Sequence, residues 1–457
     1  MNISETAQEK KARIIHSLSF ASNSGFGKIF KDETTCQGSY EKLQNYVTTV
    51  SDKVLSDKRT QKYIGNDWET VWGPVVYSHD KNSSYARADN TMAVYYSKTE
   101  KLFVIAIAGT NSISSFGWMK EDFHVNKTAV WKDISGKGMG DISQGTATGL
   151  NILVHTMKDR QLGVLTALKD YIIDKKISKV EVAVTGHSLG GALSPALALY
   201  LSDKRTEWNN GQDIQISTYP TAGPTIGVYP NWKNRRKNNF IKYYNDQIKA
   251  GNIKYHATIN DLDIVPLAWD KDDLAKIPQL YTNFGIQDVS FGTMSLIVVL
   301  NTFKNSDKLA EKLKQYVYKH ISPTVVSGEF YDVYDKKIIK LFNRLKPGTY
   351  ITNKYIPKPL QANIKNAENL FRFFAQAAYQ HTTAYDVLLG IKPFMDVYYD
   401  VKSEVKVDES NAANIFENSE EMVFGLASEA IGIDLNELAE IGNLTDEDIS
   451  KLSEQEE

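Results

Sequence analysis

The sequence predicts an α/β fold with a mainly parallel central sheet, and three observations carry that reading. Short β-branched, alternating runs recur through the middle of the chain: Thr91–Tyr96, Leu102–Ala108, Val180–Val184, Ile214–Tyr219 and Ile253–Ile259. Helical patterns separate most of them, chiefly Gly149–Lys175 and Ala192–Ser202, and strands that alternate with helices favour parallel pairing through crossovers. One strand, Val180–Val184, passes through the glycine turn Gly186-His187-Ser188-Leu189-Gly190-Gly191 into the Ala- and Leu-rich helix. That order lifts a serine out of the sheet on a strained turn, with small neighbours that let backbones approach.

Taken in order, residues 1 to about 80 read as a helical extension, with apolar residues at helical spacing over Tyr40–Leu55. The core opens with Thr91–Tyr96 and Leu102–Ala108, joined by the turn Ser97–Lys101. Ser112–Phe123 is short and amphipathic, with Phe116, Trp118 and Met119 apolar, and is a candidate lid. Lys304–His320 reads as a basic helix, Lys336–Pro357 as basic and irregular, and Ala367–Leu389 as a long helix. The expected organisation is a helical extension over 1–80, a catalytic domain over 81–402 and an acidic tail over 403–457. The domain holds the lid at 112–123 and an inserted cap at about 270–366.

Composition bounds the partners. At 457 residues and 42% hydrophobic content, the chain can bury a large core. Cys36 is the sole cysteine, so no disulfide forms within the chain. Met1–Phe20 lacks the apolar centre of a secretory leader. The expectation is a cytoplasmic protein, or one exported by a signal-independent route. No run of 18 apolar residues is present, so no transmembrane segment is expected. The net charge of −2 conceals an asymmetry. Ser403–Glu457 holds 16 acidic and two basic residues, whereas Asn301–Asn366 holds 13 basic and five acidic ones. No nucleic-acid motif accompanies the basic stretch, so peripheral contact with an anionic lipid surface is the expected use. Asp270, Asp272 and Asp273 lack the spacing of a calcium loop and read as a solvated turn. No metal site and no cofactor are expected.

The chemistry centres on Ser188. A serine hydroxyl attacks only when a base takes its proton, and the base needs a carboxylate to fix its tautomer. The helix behind the turn offers the Leu189 N–H to a developing oxyanion. Three histidines follow Ser188: His256, His320 and His381. Chain order disfavours His256, which lies inside a strand before the acid. Asp261 and Asp263 both stand at the carboxyl end of that strand, where α/β sheets place their chemistry, and the residue types alone do not choose between them. The strand Leu102–Ala108 ends in Gly109-Thr110, a turn able to present the Thr110 N–H as a second oxyanion donor.

Together these segments resemble the class 3 lipases, the family of the filamentous-fungal triacylglycerol lipases, most closely its bacterial branch. The resemblance rests on IAIAGTNSISSFGWMKEDF (Ile105–Phe123), ISQGTATGLNIL (Ile142–Leu153), TGHSLGGALSPALALYL (Thr185–Leu201) and NDLDIVPLAW (Asn260–Trp269). TAGPTIG (Thr221–Gly227) and, more loosely, YQHTTAY (Tyr379–Tyr385) add to it, and it spans roughly Asp89–Gly390. It implies an α/β-hydrolase fold with Ser188 as nucleophile, Asp263 (before Ile264-Val265-Pro266) as acid and His381 as base. It also implies Thr110 and Leu189 as oxyanion donors and a lid after Thr110. Two features depart from the family pattern. Ala108 stands where the family usually has Arg, and 118 residues separate Asp263 from His381, an insertion that keeps His320 in view. The implied activity is hydrolysis of acylglycerol esters through an acyl-enzyme. Phospholipase A1, acyltransferase and polyester hydrolase use the same machinery. A non-catalytic lipid-binding protein on a degenerate hydrolase scaffold is the alternative of another class.

Overall fold

A computed structural model of the chain describes residues 5–31, 35–79, 85–109, 127–229, 239–287, 289, 317–343, 364–406 and 412–414. Eight strands form the central sheet: β1 (Trp68–Tyr77), β2 (Asn90–Ser97), β3 (Leu102–Ile107), β4 (Lys179–His187), β5 (Asp213–Thr221), β6 (Ile253–Tyr255), β7 (Thr258–Asn260) and β8 (Thr324–Val326). Their order is β8-β7-β5-β4-β3-β2-β1, with β6 also paired to β5. The β1–β2 and β2–β3 pairs are antiparallel, and every other pair is parallel.

The parallel core is buried on both faces, as βαβ crossovers require. All six residues of β3 are buried. Alternate side chains feed two separate cores. Phe103, Ile105, Ile107, Val182, Val184 and Ile216 pack under α3 (Gln144–Asn151), α4 (Val164–Asp174) and α5 (Leu189–Asp203). Leu102, Val104, Ala106, Ala183 and Tyr219 face the other way. There they meet α1 (Ala7–Ala21), α2 (Cys36–Ser56) and the C-terminal helix Lys392–Glu404, through Ile14, Leu18, Val47, Val50, Phe394 and Tyr398. The N-terminal helices are thus the second covering layer of the sheet.

Several elements differ from the sequence reading. The first 80 residues hold the expected helices but also the strand Lys28–Lys31 and the whole of the edge strand β1. The helix expected over Gly149–Lys175 is broken between Thr156 and Val164. There Arg160 and Gln161 take positive φ, Asp159 and Leu162 exchange backbone hydrogen bonds, and the Asp159 carboxylate accepts the Gly73 N–H at 3.0 Å. Val317–Lys319, expected at the end of a basic helix, is a strand on Gly227–Tyr229. The rest of that basic stretch, 304–316, lies outside the described residues, as does the apolar run Phe291–Leu300. Asp332–Phe342, half of it expected to be irregular, is a helix. Its inner face buries Ile338 and Phe342. The 270–366 stretch also gives β8 to the central sheet. Of the acidic tail, 403–406 and the strand Ala412–Asn414 are described; that strand pairs with Lys28–Lys31.

Asp332–Phe342 packs on Ile364–His381 around a buried ion pair. Arg372 donates from Nε to Asp335 Oδ1 at 2.6 Å and from Nη2 to Oδ2 at 2.9 Å. Removing Asp335 leaves the buried Arg372, among the described residues, with only the longer carboxylate contact to Glu368, at 3.7 Å, so Asp335→Ala is expected to cost about 3 kcal/mol in urea unfolding. The double variant Asp335→Leu/Arg372→Met, which removes both charges, is expected to recover most of that loss. Unchanged stability in Asp335→Ala would contradict the packing described.

Candidate active site

β4 ends at His187, and the chain turns into α5 at Ser188. Three backbones converge on this turn. A Cβ added at Gly186 would come within 2.4 Å of the Gly190 backbone. One at Gly190 would meet Ile107 O, and one at Gly191 would meet Thr221 O, each at 2.3 Å. The close approach leaves Ser188 at φ 58° and ψ −118°, with its N–H donating to Thr221 O at 3.0 Å. The hydroxyl stands half-buried at the carboxyl ends of the parallel strands.

The other two groups arrive from distant segments. His381 is the last residue of the helix Ile364–His381, which stops where Thr382 leaves helical geometry at φ −123° and ψ −87°. Its Nε2 lies 2.8 Å from Ser188 Oγ. Its Nδ1 lies 2.9 Å and 3.1 Å from the Asp263 carboxylate oxygens. Asp263 follows β7 and is fully buried. A buried carboxylate needs donors. Asp263 has the Val265 N–H on Oδ1 at 3.0 Å and the Tyr385 hydroxyl on Oδ2 at 3.0 Å. Tyr385 OH in turn accepts the Asn260 N–H at 2.9 Å. Burial, reinforced by the Asp263 charge, pushes the Tyr385 hydroxyl well above its ordinary pKa, so it stays protonated and donating.

A second imidazole supports the first. His187 is buried and lies 4.8 Å from the Phe20 ring, 4.9 Å from His381 and 5.0 Å from Tyr385, centroid to centroid. Its Nε2 lies 2.6 Å from the His381 carbonyl oxygen, and its Nδ1 lies 3.1 Å from Thr221 Oγ1. Burial, and then the neighbouring His381, hold His187 well below the usual imidazole pKa. A neutral ring with the proton on Nε2 fits both partners.

The competing residues lie elsewhere. Asp261 is exposed and accepts the Gly328 N–H at 2.7 Å. His320 Nε2 donates to Pro266 O at 2.6 Å, and burial lowers the pKa of that ring. His256 stacks on Tyr219 at 4.6 Å. Leu189 is the first residue of α5, where backbone N–H groups lack intrahelical acceptors. Thr110 and the lid candidates Phe116, Trp118 and Met119 lie outside the described residues. Gly109, just before Thr110, is in place: its N–H donates to Asn23 Oδ1 at 2.8 Å. A Cβ added to it would sit 3.0 Å from His187 O and 3.4 Å from Ser188 Cβ. The aspartate turn is not simply solvated, because Asp270 is buried and pairs with Lys319 Nζ at 2.6 Å. Among the described residues no three His, Cys, Asp or Glu side chains group to hold a metal, and no helix is long and apolar enough to cross a membrane.

Sequence reasoning assigned no role to His187, Asn260, Tyr385 or Asn23. Tyr385 had one signal, since it follows His381 by four residues on a helical pattern, a spacing that puts two side chains on one face. Asn23 had none, being distant in sequence from every segment it touches.

Comparison with known proteins gives similarities of sequence and of fold. Residues 104–271 match the family model described as Lipase (class 3). M37 lipase is 25% identical in its crystal structure, with a TM-score of 0.56 over 86% of this chain and 98% of that one. The lipase of Rhizopus microsporus var. chinensis is 19% identical, with a TM-score of 0.37 over 58% of this chain and 70% of that one. Rhizomucor miehei lipase in its propeptide complex is 19% identical, with a TM-score of 0.36 over 57% and 64%. No curated protein sequence matches. The family match and the likeness to M37 lipase identify the fold as that of the α/β-hydrolases.

Tyr385→Phe removes one hydroxyl and leaves both Asn260 N–H and Asp263 Oδ2 one partner short. An interaction with a charged group is worth about 1.5–3 kcal/mol. Ester hydrolysis is therefore expected to slow by at least about tenfold, since about 1.4 kcal/mol in the barrier is a factor of ten. Steady-state kinetics on a soluble ester checks this; a wild-type rate would remove Tyr385 from the account.

Proposed function

We propose that the chain is a serine hydrolase that cleaves the ester bonds of acylglycerols through an acyl-enzyme on Ser188, a reading supported by the match of residues 104–271 to the class 3 lipase model. The observation that carries this reading is the continuous line Ser188–His381–Asp263, with hydrogen-bond distances of 2.8 and 2.9 Å. His381 Nε2 takes the hydroxyl proton as Ser188 Oγ attacks the carbonyl, while Asp263 holds the Nδ1 proton and stabilises the imidazolium. The oxyanion rests on the Leu189 and Thr110 N–H groups. The imidazolium returns its proton to the leaving alcohol, and water repeats the cycle on the acyl-enzyme.

The extent of the likeness to M37 lipase supports a lipid ester as substrate. The basic stretch Asn301–Asn366 supports contact with an anionic surface, each lysine or arginine near such a surface adding about 1 kcal/mol.

Hydrolysis of emulsified long-chain triacylglycerol, set beside phospholipid and short soluble esters, tests the substrate. Preference for phospholipid would replace acylglycerols by phospholipase chemistry. Ser188→Ala is expected to lose about 10⁴- to 10⁶-fold in rate and all labelling by a fluorophosphonate. Asp263→Asn is expected to lose about 10⁴-fold, because an amide in place of the carboxylate sets the wrong imidazole tautomer, as in serine proteases. His381→Ala should match the serine variant, whereas His320→Ala should stay within several-fold of wild type, about 1 kcal/mol. A wild-type protein that neither takes the fluorophosphonate label nor hydrolyses any ester would favour the lipid-binding alternative.

A further inference from the structure

The N-terminal segment reaches the site at two points. Phe20, at the end of α1, packs its ring 4.8 Å from His187, whose Nε2 donates to the His381 carbonyl at 2.6 Å. Three residues on, in the short turn Ser22–Gly25, Asn23 accepts the Gly109 N–H at 2.8 Å. Gly109 rests against the elbow, and a methyl added there would touch both His187 O and Ser188 Cβ. The helix already covers the sheet through Ile14, Ile15 and Leu18, all fully buried.

We propose that Ala7–Gly25 is a positioning element of the active site: Asn23 holds the turn at Gly109, and Phe20 wedges His187, which holds the backbone of His381. The inference rests on the reading of Ser188, Asp263 and His381 given above. Each arm acts on the backbone of a group rather than on substrate. Asn23 fixes the Ala108–Gly109 peptide, whose glycine rests against the nucleophile. His187 fixes the end of the helix that carries the base, where the next residue has already left helical geometry. The ring stays neutral because it is buried, so it can donate from Nε2 while accepting on Nδ1. Misplacing a catalytic group by 1 Å is enough to cost about 100-fold in rate. Loss of either hold should therefore appear in kcat, with substrate binding left nearly intact.

The experiment uses two pairs of variants in the full chain, assayed on a soluble short-chain p-nitrophenyl ester, with thermal midpoints measured alongside. Asn23→Ala removes the acceptor and Asn23→Asp retains one. His187→Leu removes the donor, and His187→Gln retains one near the place of Nε2. The first member of each pair is expected to lose about 10- to 100-fold in kcat with KM within about twofold. The second is expected to regain most of that loss. The pairs are independent, so a variant lost to misfolding leaves the other pair to decide. Loss of kcat in Asp and Gln variants as deep as in Ala and Leu would overturn the proposal, because a merely structural role predicts no rescue. An active Ser188→Ala overturns the underlying reading and this inference with it. An inactive Ser188→Ala beside fully active Asn23→Ala and His187→Leu overturns this inference alone.

Discussion

Ser188 sits at φ 58° and ψ −118°, a conformation that costs a non-glycine residue about 1–3 kcal/mol and survives only when its surroundings over-determine it. Here they do. Gly186, Gly190 and Gly191 bring β3, β5 and α5 to backbone contact around the turn, and no side chain fits at any of the three. The register agrees. Gly186 pairs with Ile107 on one side and Pro220 on the other, so both neighbouring strands end beside the serine. The strain is thus held by the most buried part of the sheet. Relaxing it would mean separating strands whose side chains fill two cores.

From that fixed point the site is assembled by hydrogen bonds to backbone. Asp263 is held by Val265 N–H and Tyr385 OH. Tyr385 is held by Asn260 N–H. His187 holds the His381 carbonyl. Only the Ser188–His381 and His381–Asp263 contacts join the reacting side chains themselves. Such an arrangement puts orientation into groups that do not react and leaves the serine and imidazole free to exchange a proton. It also explains why the helices of the first 64 residues belong to the catalytic body. They close the second face of the sheet, and their end touches His187 and Gly109.

The sequence carried the parallel sheet and the elbow because both rest on local signals: β-branched alternation, glycine punctuation and an apolar helix. Residue types alone left two aspartates open, and only the family resemblance pointed to Asp263. Their different fates depend on which carboxylate meets Tyr385 and which meets Gly328 N–H, and both partners lie far along the chain. The broken helix at Met157–Gly163 was hidden for a related reason. Its turn is stabilised by Asp159 accepting Gly73 N–H, a contact across 86 residues that no window of sequence contains. The helix Asp332–Phe342 was read in half as irregular because its basic residues dominate the local pattern. Its stability comes from Asp335 meeting Arg372, again a tertiary event.

The long interval between Asp263 and His381 raises a last physical question: how a site tolerates a sequence separation of 118 between its proposed acid and base. Chain entropy supplies part of the answer, since each doubling of a loop costs only about 0.6 kcal/mol in closure. The rest lies in how the two ends are tied. Asn260, three residues before the acid, donates from Nδ2 to both the carbonyl and the side-chain oxygen of Gln380, the residue before the base, at 3.1 and 2.7 Å. Gln380 then donates to Glu329 O, and Gly328 N–H donates to Asp261, which fastens the strand-end on the insertion's return path to the same junction. β8 lies parallel to β7 immediately before that junction and fixes the direction of entry. Acid and base are therefore set by a clasp at the neck of the insertion, and what the intervening residues do beyond it has little leverage on the distance between them.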